Sequence, residues 1–235
     1  KEQRINFSLS VLKHLEESCK YGRKRNISRY GYLGGCLSTL ARIIYAFYNQ
    51  PSSGNKENLI GCLSEEFQND LKKIPEDLGI YYQLSSFLKN KPLNEIYLFC
   101  LEQAIACREE FFRRFNNKEK LEHPEKADKT IITNRILLAK DCFCLFLSRT
   151  DHERAHFLQK SRESFGMGLE WKLNAETGEI KKTKEEALDE LGSLREYAIL
   201  CRLARNEPEN TALKLCLEAE ENLQLLNLEK KKIQR

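Results

Sequence analysis

LNEIYLFCLEQAIACREEFFRRF, residues Leu93 to Phe115, is the stretch that decides the fold. Tyr97, Cys100, Ala104, Cys107 and Phe111 recur within it at spacings of three and four, which places one apolar stripe on an α-helix. The centre of that stripe is made of small residues, so a partner helix can approach closely. Glu109, Glu110, Arg113 and Arg114 crowd its end.

Outward from this helix the same periodicity runs from Glu2 to about Phe165. It is interrupted by polar or Pro/Gly punctuation near 22–27, 50–55, 72–76, 89–92 and 116–129. In Ile131 to Leu147 apolar residues cover most of the circumference, as in a helix at the middle of a bundle. Arg135, Lys140 and Asp141 within it argue for a buried helix over a membrane span. Between Gly168 and Lys182 the period changes to two: Leu169, Trp171 and Leu173 alternate with Glu170 and Lys172. Asn174 to Gly178 supplies turn chemistry, and a second strand forms around Ile180. Thr183 to Glu186 then reads as a capping box for a helix to about Arg205, and Asn206-Glu207-Pro208 turns the chain into a last helix.

The expected fold is therefore all-α: an irregular multi-helix bundle of about nine helices with one β-hairpin insertion. The expected organisation is a helical bundle over 1–165, the hairpin over 166–183, and a C-terminal helical pair over 184–235 packing on the bundle.

Composition narrows the function classes. The chain of 235 residues has 39 basic and 35 acidic side chains, and the resulting +4 is too mild to argue for nucleic acid or anionic membrane by itself. Its nine cysteines are odd in number, sit mostly in apolar helical patterns and include no C-x-x-C. They read as reduced core thiols of a cytoplasmic, intracellular setting. The chain is expected to be one soluble part of a longer protein.

One pattern carries a reaction: His152-Glu153-Arg154-Ala155-His156 is H-E-x-x-H. On a single helix face its histidines bind zinc and its glutamate activates the metal-bound water. In this motif, and in Glu185-x-x-x-Asp189, the chain resembles the gluzincin metallopeptidases. That resemblance implies His152 and His156 as zinc ligands, Glu153 as general base and Glu185 as third ligand. It departs from the family in placing the cation Arg154 at a central position and in having no strand pattern before the motif. The same residues also read without metal. Thr150-x-x-Glu153 is a capping box with Asp151 in the first turn, which explains Glu153 as part of a helix start. On that reading there is no catalytic residue, cofactor or metal, and zinc is the alternative.

Two surfaces remain. Lys20 to Tyr32 interleaves cations with tyrosines and has no carboxylate, so Arg23, Lys24, Arg25 and Arg29 are candidates for phosphate of nucleic acid or an anionic lipid. The hairpin is the stronger candidate. A two-stranded ribbon must bury a face, and Leu169, Trp171, Leu173 and Ile180 include the only tryptophan. The leading expectation is a non-enzymatic helical domain that binds a protein partner through the hairpin and adjoining helix ends. The alternatives are zinc-dependent peptide hydrolysis and anion binding by the basic segment.

Overall fold

The computed structural model describes residues 2–21, 28–49, 56–70, 76, 78–115 and 129–175. All regular structure among them is helical: α1 (Glu2–Tyr21), α2 (Ser28–Tyr48), α3 (Lys56–Gly61), α4 (Glu65–Asp70), α5 (Gly79–Asn90), α6 (Leu93–Arg114), α7 (Lys129–Ser148) and α8 (Arg154–Ala175). The chain is all-α over these residues; the expected total of about nine helices reaches into residues outside them. None of the described helices is long and apolar enough to cross a membrane. The chain divides into two compact units, Lys1–Asn116 and Asn117–Arg235. This division falls in the polar 116–129 stretch, whereas composition alone suggests boundaries at 165 and 183.

In the first unit, α6 begins after Pro92, whose fixed φ and missing N–H suit a helix entrance. Glu95 in its first turn and Arg113 and Arg114 in its last complement the helix dipole. The principal seam is α2 on α6, with α1 packed on α2 and α5 on α6. Helix α2 serves two neighbours: Leu33, Leu37, Leu40 and Ile44 form one buried row, and Gly34, Ser38 and Ala41 form another. The second row meets α6. A Cβ placed on Gly34 would lie 3.0 Å from Cγ of Arg108 and 3.1 Å from the carbonyl oxygen of Ala104, so a bulky residue here would force these helices apart. Arg108 is fully buried along this seam and donates from Nη2 to the Ser38 hydroxyl at 3.0 Å.

Two polar side chains of α1 tie distant elements together. The buried carboxylate of Glu16 accepts the backbone N–H groups of Ile80 and Tyr81, both at 2.7 Å. Those are first-turn donors of α5, which lacks a side-chain cap of its own at Leu78. Asn6 donates to the carbonyl of Cys62 at 2.9 Å and accepts from the N–H of Ser64 at 2.8 Å, fixing the turn between α3 and α4.

The second unit contains the antiparallel pair α7 and α8. Their seam repeats every seven residues. Arg154 donates from Nε to the Phe146 carbonyl at 3.0 Å, the Ser161 hydroxyl donates to the Ala139 carbonyl at 2.7 Å, and Gly168 lies against Ile136 and Arg135. Phe165 and Ala139 are buried at its centre, with Ile136, Phe143 and Leu158 around them.

This pairing corrects the expected β-hairpin. Residues 168–175, including Leu169, Trp171 and Leu173, continue α8 as helix, and Ile180 lies outside the described residues. Gly168 is not a strand boundary. A Cβ there would come within 2.9 Å of Ile136 Cγ1, so the glycine is a point of close helix contact, and tertiary packing overrides the short alternating pattern that follows it. The helices expected after Thr183 also lie outside the described residues.

The seven cysteines of the described residues are free thiols, with Cys100, Cys107 and Cys142 buried. Burial pushes the Cys36 thiol up to about 11 and Cys107 up to about 12, so neither is a ready nucleophile.

Candidate functional site

The H-E-x-x-H residues occupy the turn between α7 and α8. Helix α8 starts at Arg154, so His152 and Glu153 precede it and only His156 belongs to its first turn. The two histidines therefore do not share a continuous helical face, which is what the motif needs for joint coordination. All residues from Thr150 to His156 are exposed. The Glu153 carboxylate is bonded to the Arg149 guanidinium, and Asp151 adds a longer ion pair to Arg149 at 3.6 Å. The side chain that caps the turn is Asp151: its Oδ1 accepts from the Glu153 N–H at 3.1 Å, the role expected of Thr150.

The two arginines of the turn hold it down. Arg149 lies 5.4 Å from the Phe157 ring centroid, and Arg154 lies 4.4 Å from that of Phe146. Arg154, the cation at odds with a peptidase site, thus acts as a clamp between α8 and the end of α7. Among the described residues no three His, Cys, Asp or Glu side chains are grouped to hold a metal ion, Cys142 and Cys144 included. Glu185 lies outside those residues.

The basic segment has a different setting. Arg23, Lys24 and Arg25 fall outside the described residues, and Arg29 stands in the first turn of α2. Arg29 Nη1 donates to the Ser18 carbonyl at 2.5 Å, joining the start of α2 to the end of α1. The Arg114 guanidinium sits 4.5 Å from the Tyr30 ring centroid, which brings the end of α6 to the same place. Burial pushes the Tyr30 phenol and the Cys19 thiol up, and Arg114 and Arg29 respectively offset this in part.

Glu110 organises the α6 end. It accepts from Arg113 Nε at 2.5 Å and Nη2 at 2.6 Å, and also from Arg114 Nε. These bonds hold its carboxyl well below the ordinary 4.5, at about 2. The fold favours the ionised form of Glu110, so its stabilisation is complete above about pH 4.5 and is lost as pH falls towards 2. Thermal midpoints measured from pH 6 to 2 should show wild type above Glu110→Gln at pH 6 and the two curves converging near pH 2. A gap that is constant across this range would refute the assignment.

A third surface is not evident from the sequence. Tyr45 and Tyr48 are exposed at the end of α2 but continue the Gly34, Ser38 and Ala41 row, whereas the solvent side of α2 presents Tyr32 at 65% exposure together with the exposed Thr39, Arg42 and Ala46. Gly35 lies between them, with no atom within 4 Å of a Cβ placed on it. The signal that could have found it is in α2 itself, a 21-residue helix whose charges are only Arg29 and Arg42 in a chain that is 31% charged. Tyr45 is half-supported by Tyr97 of α6 at a centroid distance of 5.2 Å. Comparison with known proteins finds no matching family model, no matching curated protein and no matching solved structure.

Proposed function

We propose that the chain is a non-enzymatic helical domain that engages a protein partner through the solvent face of α2. This keeps the interaction class expected from the sequence and moves its surface from residues 169–173, which are helical, to residues 32–46. The observation that carries it is the exposed Tyr32 on a helix face that has small residues and no carboxylate. Tyrosine offers a large amphipathic contact at low entropic cost and is enriched where interfaces concentrate their energy. A long exposed helix face built for solvent alone would normally carry charge. Gly35, Thr39 and Ala46 leave room along the same face for a second backbone.

The turn at 149–156 supports this class by its own chemistry. Its glutamate is held by an arginine, and its histidines straddle the start of α8. A photo-crosslinking residue placed at Thr39 is expected to give a discrete protein adduct that the same probe at exposed Gln83 of α5 does not give. Tyr32→Ala should weaken capture of that partner about 30-fold, the effect of losing a hot-spot side chain worth about 2 kcal/mol. Equal adducts from Thr39 and Gln83, or undiminished capture by Tyr32→Ala with the fold intact, would remove the proposal.

A further inference from the structure

The solvent side of α2 has an order that bears on what covers it. Tyr32, Gly35, Thr39 and Arg42 follow one another at spacings of three, four and three, the rhythm of a seam between two helices running side by side. The stripe is symmetric about its midpoint, with a large side chain at either end and a small one at each inner place. Taken in the opposite direction it presents the same spacing. A second α2 laid antiparallel along it therefore brings Tyr32 opposite Arg42 and Gly35 opposite Thr39, and then the same two pairs in reverse.

The chemistry of the four residues fits that pairing. Arg42 and Tyr32 are both exposed, and among the described residues no ion pair or ring contact engages either side chain. A guanidinium over a tyrosine ring is attractive, and more so once water is excluded. Gly35 has no atom within 4 Å of a Cβ placed on it, which leaves an opening one turn from Thr39 where a second backbone can come close. The Thr39 hydroxyl already donates to the Gly35 carbonyl at 2.9 Å, so covering this face strands no donor there. Arg42 is then the charge that has to be met from outside, since α2 carries no carboxylate of its own. Parallel pairing would set Arg42 against Arg42, a juxtaposition of like charges.

We infer that the occupant of the α2 face is a second copy of this chain, held in an antiparallel α2 pair with Arg42 of each copy on Tyr32 of the other. The inference rests on the protein-binding role proposed for this face and names its partner. Four layers over about 15 Å of helix bury less than the ~1,200 Å² at which lasting interfaces begin. The dimer is therefore a reversible one, with a dissociation constant in the micromolar range.

Sedimentation velocity of the purified whole chain over a concentration series should show a monomer in exchange with a dimer. Tyr32→Ala should raise the dissociation constant about 30-fold, because the ring is lost on both sides of the axis. Gly35→Leu should abolish the dimer while the thermal midpoint of the monomer holds or rises, since the space around Gly35 is open and leucine favours helix. Tyr32→Arg alone should also abolish it. Tyr32→Arg combined with Arg42→Tyr should recover it, because the antiparallel arrangement again sets an arginine on a tyrosine. The photo-crosslinked adduct at Thr39 should have twice the mass of the chain.

A chain that stays monomeric up to about 1 mM would overturn the inference. So would a dimer indifferent to Gly35→Leu, or a folded double swap that fails to recover association. A monomer whose Thr39 probe joins a different protein would overturn the second copy alone and leave the α2 face as a binding surface. Loss of both the dimer and the adduct would remove both readings.

Discussion

Gly34→Val is expected to destabilise the first unit by about 3 kcal/mol, the upper end of the range for overpacking a closed seam. The first added carbon would already stand 3.0 Å from Arg108 Cγ and 3.1 Å from the Ala104 carbonyl oxygen. The second of these is backbone of α6 and yields only if the whole helix moves. Arg108 has no easy retreat either, being fully buried with its guanidinium on Ser38. In urea titrations followed by circular dichroism the midpoint should fall by about 1–3 M for an ordinary urea dependence. Gly34→Ala adds one carbon and gains about 1 kcal/mol of helix propensity, so it should stay within about 1 kcal/mol of wild type. An unchanged midpoint for Gly34→Val would mean that α2 and α6 do not meet at this distance.

Phe165→Ala should have an effect at least as large, about 3–5 kcal/mol, in the second unit. Phe165 is completely buried beside Ala139, with Ile136, Phe143 and Leu158 around the pair, so truncation removes an aromatic ring from a closed cluster. Met167→Ala, two residues away at an exposed position, should change stability by no more than about 0.5 kcal/mol. Equal losses at the two positions would show that Phe165 is not the anchor of the pair.

The contrast between these residues explains how far the sequence can be read. Helix α6 is legible almost to the residue, because a strong stripe is bounded by Pro92 on one side and by paired arginines on the other. Helix α7 is legible for the same reason, its apolar positions being too many for any other element. The hairpin is not. Three alternating positions after a glycine resemble a strand, but what Gly168 answers to is its distance from Ile136, which is a fact about α7 and not about its own neighbourhood.

The candidate sites follow the same division. The H-E-x-x-H letters are plain, yet the residues that decide its geometry are Arg149 and Asp151, one before the motif and one adjoining it. Arg113 and Arg114 look like an ordinary helix end until Tyr30, distant in sequence, is placed beneath one of them. Arg108 and Glu16 look like surface charges, because burial of a charge leaves no trace in the letters around it.

Glu16 also limits how this unit can be divided. The start of α5 is specified on α1, since the Ile80 and Tyr81 amides are satisfied from a position 64 and 65 residues earlier. A fragment that begins after α1 would retain the whole sequence of α5 and still lack what completes its first turn. Helix α5 is therefore not a portable module, and any minimal version of the unit must keep both ends of that bond.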